Sequence, residues 1–170
     1  MDEHGLAGPI DAGDGDGLRL DGSKQFVTPL QAAEGFIVSA QSTEGLLLVH
    51  VPANSPGLQS HAQLLADGSF SGRIDLRDTP VAAGDILAGA ACGAAALARA
   101  IDEATLMACA EMLGVMIRAI DMTLDYLRTR VQFDKPIGSF QALQHRAVDL
   151  WMQQQLCAAL LTRAVQEADA

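Results

Sequence analysis

Residues Arg128-Thr129-Arg130-Val131-Gln132-Phe133-Asp134-Lys135-Pro136-Ile137-Gly138-Ser139-Phe140-Gln141-Ala142-Leu143-Gln144-His145 separate two long stretches of helical periodicity. Upstream, residues 86 to about 130 hold no proline, and apolar side chains recur at helical spacing: Leu97, Ile101, Ala104, Ala108, Met112, Val115, Ala119 and Met122. A helix of about 40 residues would run roughly 60 Å at about 1.5 Å per residue. Downstream, Ser139 stands where an N-cap belongs, and Phe140, Leu143, Ala147, Leu150, Trp151, Cys157, Leu161 and Val165 predict a second helix. The break at Asp134-Lys135-Pro136-Ile137-Gly138 is short, so the two helices are expected to be antiparallel neighbours. Their apolar stripes are too wide to be buried against each other alone. Leu160, Leu161, Met107, Met112 and Met116 need another surface, so the pair reads as half of a four-helix bundle.

Ahead of the first helix the texture differs. Gln25–Thr28, Gly35–Ala40 and Leu46–Val51 are short apolar runs, and weaker ones follow at 63–65 and 72–76. Turn signals fall at Thr43-Glu44-Gly45, at Pro52 through Gly57 and at Ala66-Asp67-Gly68, a spacing that predicts antiparallel strands. The first three runs are more apolar than strict alternation gives, so coverage on both faces is expected for some of them. Asp85 is a plausible cap for the first helix. The fold class is therefore α+β. Residues 1–22 form a Gly/Asp-rich, solvated lead-in, 23–84 a partial β-domain, and 85–170 a partial helical domain. The Gly13-Asp14-Gly15-Asp16-Gly17 tract lacks the ligand spacing and closing Glu of a calcium loop and reads as a polar turn.

Hydrophobic residues are 49% and charged ones 19% of the chain, which is a globular composition rather than a disordered one. The formal net charge of −10, with Lys and Arg scattered, argues against nucleic acid or an anionic membrane surface as partner. Cys92, Cys109 and Cys157 are odd in number and without CxxC spacing, so structural disulfides and a cysteine metal site are not expected, and a reducing, cytoplasmic setting fits. The acidic start, Met1-Asp2-Glu3-His4, has no signal-peptide character. His4, His50, His61 and His145 are too dispersed for a metal site, and His50, within a β-run, reads as structural. No GxSxG, HExxH, P-loop or GxGxxG occurs.

The interhelix elbow is where chemistry concentrates. It closes one helix, where the dipole favours a cation, and opens another, whose free amides favour an anion. Two readings fit. Arg128 and Arg130 cap a helix while Phe133 seals the turn; or Arg130, Gln132 and the second helix surround a dinucleotide pyrophosphate, with Phe133 and Phe140 as aromatic surface for an adenine.

Arg130-x-Gln132-Phe133-x-x-Pro136-Ile137-Gly138-x-Phe140-Gln141-x-x-Gln144 resembles the RxQFGxPIxxFQxxQ signature of acyl-CoA dehydrogenases. The resemblance implies a segment that opens the C-terminal helical domain and binds FAD, commonly that of an adjacent subunit. Arg130 would hold the pyrophosphate, Gln132 would hydrogen-bond nearby, Phe133 would pack on the flavin–adenine region, and Ile137, Phe140 and Leu143 would line the adenine side. Leu20 through Thr28 is similar to the family's G-x-K-x-W/F-I/V-T strand, where Phe26 would flank the isoalloxazine and Thr28 would hydrogen-bond flavin N5. Gly72 through Leu87 weakly resembles the closing strand of the same β-domain. The implied activity is α,β-dehydrogenation of an acyl-CoA thioester, in a homo-oligomer or with a completing partner subunit.

Departures from the pattern carry their own expectations. Asp134 stands where the family usually has Gly, and Asp tolerates a left-handed backbone better than most residues. The family's usual catalytic Glu lies in a C-terminal part beyond the resemblance. In members that place the base on the first long helix, the corresponding pair here is Ala104-Thr105, neither of which is a carboxylate. Glu103 is adjacent but about 100° round the helix. Asp102 matches an acidic position near the substrate, no catalytic base is assigned, and the chain alone is expected to be inactive. The alternative is a non-catalytic dimerising or regulatory module built on this fold.

Overall fold

The computed structural model describes residues 10–13 and 17–168, with side chains from residue 17 onward. By its packing the chain divides into two compact units, Met1–Arg99 and Ala100–Ala170. In the first, strands β1 (Ile10–Gly13), β2 (Arg19–Val27), β3 (Gly35–Ser42), β4 (Gly45–Pro52), β5 (Leu58–Leu64), β6 (Phe70–Pro80) and β7 (Ile86–Ala88) form one seven-stranded sheet. Its order is β5-β6-β2-β1-β3-β4-β7, antiparallel throughout except for the short parallel β1–β3 pair. The expected turns at 43–45, 52–57 and 66–68 fall between strands.

Alternation sets the core. Phe36, Val38 and Ala40 on β3 and Leu47, Val49 and Val51 on β4 are buried together with Leu20, Ile74 and Leu76. A side chain of this kind contributes about 1.5–3 kcal/mol when taken fully out of water. The opposite face is open, with Ile37 70% exposed, so coverage on both faces does not hold within this chain. The apolar excess of β3 and β4 lies on that face, where Ile37 is exposed and Leu46 and Leu48 are half-buried.

Three sequence boundaries move. Residues 10–13 and 19–22, read as lead-in, are strand: the first segment pairs with β2 and β3, and the second, the start of β2, pairs with β1 and β6; residues 14–16 of the Gly/Asp tract and His4 lie outside the described residues. Asp85 does not cap a helix. It ends a 3-10 turn, Ala83–Asp85, with its carboxylate 3.6 Å from His50 Nδ1. Ile86–Ala88 then pairs with β4, giving that strand's open edge a partner. Helix α1 begins only at Gly93, where any Cβ would collide with the Leu46 carbonyl oxygen. Its first turns thus belong to the sheet unit, which carries the packing boundary past the expected break at residue 84.

The second unit holds most of α1 (Gly93–Thr129) and all of α2 (Gln141–Ala168). They run antiparallel: Leu106, Leu113 and Met116 share one groove with Cys157, Leu160 and Leu161. Ile120, Leu124 and Leu127 share the next with Leu143, Ala147 and Leu150. The stripe facing α2 is therefore Leu106-Leu113-Met116-Ile120-Leu124-Leu127. Of the stripe read from sequence, Ile101 through Met122, Met112 reaches the edge of the first groove while 70% exposed, and the others are exposed on another face. α1 is apolar on two faces and its partner covers one; Ile120 is its one buried large apolar side chain. The half-bundle expectation agrees with this exposure. No helix among the described residues is long and apolar enough to cross a membrane.

Candidate functional site

The elbow is a tight β-hairpin set between the helices. α1 ends at Thr129, and the Arg130 amide still donates to Tyr126 O at 2.9 Å. Strand β8 (Val131–Gln132) then pairs with β9 (Lys135–Pro136) across a two-residue turn. Both turn residues are left-handed, Phe133 with φ 54° and Asp134 with φ 64°. Two successive positive-φ residues give the turn whose twist matches that of the flanking strands. Asp is a tolerated occupant and Phe an uncommon one. The Phe133 ring is 84% exposed and meets Phe140 edge-to-face, with centroids 6.1 Å apart and planes at 90°. Such a pair contributes about 0.5–1.5 kcal/mol beyond burial, which offsets part of the backbone strain.

The return into α2 is fixed by backbone bonds. Ile137 N donates to Arg130 O at 2.8 Å, and residues Ile137–Ser139 make one 3-10 turn. Ser139 does not cap α2. Its hydroxyl donates to Pro136 O at 2.7 Å, and the Phe140 carbonyl accepts the amides of Leu143 and Gln144 at 3.0 and 3.1 Å. Gln144 Nε2 donates to Gly138 O at 3.0 Å, tying the first turn of α2 to the elbow. Gly138 passes so close to α1 that a Cβ would lie 2.9 Å from Leu127 O. The sequence pattern Pro-Ile-Gly thus encodes a close approach, and glycine is needed for contact rather than for its dihedral angles.

Charge is distributed unevenly. Arg128 is held by Asp125 Oδ1 at 3.0 Å, whereas among the described residues no hydrogen bond or ion pair engages the Arg130 guanidinium. Lys135 Nζ stands 4.4 Å from the centroid of the Phe140 ring. The structure brings Phe133, Phe140 and Lys135 together, with Arg130 and Gln132 exposed on the adjoining strand. Leu143 lines the groove between the helices beside Leu127, so within this chain it serves the helix pair. Asp134→Gly is expected to relieve about 1–2 kcal/mol of left-handed strain. Against roughly 0.5–1 kcal/mol of added chain entropy in the unfolded state, it leaves Tm unchanged or raised. A rise of about 2–4 °C corresponds to 1 kcal/mol at this chain size. A fall in Tm by calorimetry would show that Asp134 makes a stabilising contact instead.

On the sheet unit, β2 is bulged between Lys24 and Val27, and Phe26 sits in the bulge with φ 59°, its ring 77% exposed. Phe26 lines a hollow of about 460 Å³ with His61, Gln63 and Arg73. Thr28 lines a different hollow of about 410 Å³, with Lys24, Phe36 and Ser39. The bulge therefore turns these two predicted residues onto separate surfaces. Sequence reading missed Lys24, half-buried in the second hollow, whose Nζ donates to Ser39 Oγ at 3.2 Å. Burial holds its pKa below the usual lysine value. In sequence it stands at the Lys position of the G-x-K-x-W/F-I/V-T resemblance, next to an apolar run, and no role was assigned to it there.

Sequence comparison matches residues 92–170 to the family described as "Acyl-CoA dehydrogenase, C-terminal domain". Over 92% of its length the chain is 34% identical to acyl-CoA dehydrogenase FadE27 of Mycobacterium tuberculosis, covering 41% of that protein. A chain in the crystal structure of the ChsE4-ChsE5 complex from Mycobacterium tuberculosis matches with TM-score 0.82 and 33% identity, over 98% of this chain and 45% of that one. This chain belongs to the acyl-CoA dehydrogenase family. The glutaryl-coenzyme A dehydrogenase glutaryl-CoA complex matches at TM-score 0.83 and 25% identity, over 92% of this chain and 42% of that one. The chain thus spans less than half the length of these acyl-CoA dehydrogenase relatives.

On α1, Ala104 has no functional group, and the Thr105 hydroxyl donates to Ile101 O at 2.7 Å within its own helix. Asp102 is exposed on the same turn.

Proposed function

We propose that this chain supplies the FAD-binding elbow and part of the flavin-facing β surface of an acyl-CoA dehydrogenase that performs α,β-dehydrogenation of an acyl-CoA thioester. The observation that carries the reading is the uncommitted Arg130 guanidinium beside an exposed phenylalanine pair at the entrance to α2. A dinucleotide offers the two features this surface lacks, a pyrophosphate for the guanidinium and helix amides, and a flat base for the rings. When bound, FAD supplies the hydride-accepting chemistry.

The chain's own residues would bind and orient. Arg130 would hold phosphate oxygens in a bidentate fork, with Gln132 beside it, and Phe133, Ile137 and Phe140 would bound the adenine. Leu143 would support that wall from the helix groove. Phe26 would present its ring to the isoalloxazine, and Thr28 a hydroxyl at its edge. Asp102 would stand near the acyl-CoA. With Ala104 and Thr105 where a base would otherwise sit, the proton acceptor would come from another polypeptide segment. The exposed apolar face of α1 supports assembly with a second copy or a partner subunit, and the similar chain from the ChsE4-ChsE5 structure occurs in a complex. Three free thiols suit a reducing, cytoplasmic setting.

A second reading, a non-catalytic dimerising module, is favoured by Asp134 in the turn and by the absent carboxylate at Ala104-Thr105. Flavin separates the two. Protein purified from FAD-supplemented cells is expected to keep visible flavin absorbance through gel filtration, and FAD fluorescence to change on titration with stripped protein. Colourless protein that cannot be reconstituted would leave only the second reading.

A further inference from the structure

Among the described residues, the cation in the hollow behind Thr28 has no counter-charge. Carboxylates outnumber cations in this chain, 21 to 11, and Arg19, Arg73, Arg128 and Arg163 each sit against one. Lys24 does not: among the described residues its ammonium bonds only the neutral Ser39 hydroxyl. A partly desolvated ammonium is unfavourable unless an anion or more polar groups approach it. The hollow itself is about 410 Å³, within the range of small-ligand sites.

We propose that this hollow binds a small monocarboxylate with a short hydrocarbon tail, its carboxylate on Lys24 Nζ and its tail along Val27, Ala33 and Phe36. The lining decides the ligand class. Lys24 is the one cation there, so it matches a single negative charge rather than a phosphate or a polyanion. Ser39, already beside the ammonium, offers its hydroxyl to the second carboxylate oxygen, and most of the remaining lining is apolar, which suits a hydrocarbon. The site lies on the sheet unit and does not depend on the elbow's residues. It shares Thr28 with the flavin reading, and the test must separate the two.

Isothermal titration of the full chain with hexanoate, and with hexanamide as its neutral isostere, makes that separation. Hexanoate is expected to bind at least about 10-fold more tightly than hexanamide, the preference due to a charge-assisted bond. Lys24→Met should abolish the preference while leaving the circular dichroism spectrum and the FAD titration unchanged. Lys24→Gln provides a second variant should the first fail to fold, and amide shift changes at Lys24 and Ser39 in the wild-type chain need no variant at all. Equal binding of the two probes, no binding of hexanoate, or an unchanged preference in the variants would overturn the proposal. Displacement of hexanoate by FAD would also overturn it, by making the hollow part of the flavin site. Failure of FAD binding alone would leave it standing.

Discussion

Arg130→Ala is expected to weaken FAD binding by about 10- to 100-fold, since hydrogen bonds to charged groups contribute about 1.5–3 kcal/mol. The loss should be large because nothing else takes the guanidinium's place: Arg128 is already bonded to Asp125, and Lys135 lies over the Phe140 ring. Arg130→Lys keeps the charge but loses the planar fork, so it should fall between wild type and Ala. The fold should be untouched, because the exposed Arg130 side chain makes no contact that holds the hairpin; its backbone does that through Tyr126 and Ile137. Fluorescence titration with FAD, beside a thermal melt of each variant, reads both quantities. Equal affinities for wild type and Ala would remove the elbow as the pyrophosphate site.

Leu76→Ala is expected to destabilise the sheet unit by about 2–5 kcal/mol through lost burial and the cavity left behind. Leu76 is 1% exposed in β6, a strand paired on both sides by β5 and β2, so its neighbours cannot collapse easily into the gap. A loss of that size is a large share of a typical total of about 5–15 kcal/mol. It should appear as a lower urea midpoint with an unchanged slope. Ile37→Ala on the same sheet is the contrast: Ile37 is largely exposed, and surface changes usually stay within about 0.5 kcal/mol. A small effect at Leu76 would mean that the core relaxes around the cavity.

The elbow was the most legible part of the sequence. Pro136, Gly138 and Ser139 break the helical period, and the resemblance fixed the register of the residues around them. Strands β3 and β4 were legible as short apolar runs bounded by turn signals, although both are more apolar than strict alternation gives. What escaped depends on partners distant in sequence. Ile86–Ala88 has the same apolar texture as the helix after it, and only the open edge of β4 makes it a strand. Periodicity points to the outer face of α1 because Ile101, Val115 and Met122 are as apolar as Leu113, Met116 and Leu124, and it cannot rank two stripes on one helix. Ser139 has the chemistry of a cap but is one residue too early, its hydroxyl turned to Pro136. Phe26 and Thr28, two residues apart, should share a face on a regular strand; a bulge that no local signal announces separates them.

The two-residue turn at Phe133-Asp134 has a mechanical consequence. With Val131 opposite Pro136 and Ile137 N bonded to Arg130 O, the azimuth of α2 about its own axis is geared to the last turn of α1. A residue inserted in the first turn of α2 would rotate Leu143 and Ala147 by about 100° about the helix axis, away from Leu124 and Leu127. The spacing from elbow to groove is therefore as constrained as the chemistry of either. The residues offered to a ligand and the angular alignment of the helices are a single inherited part.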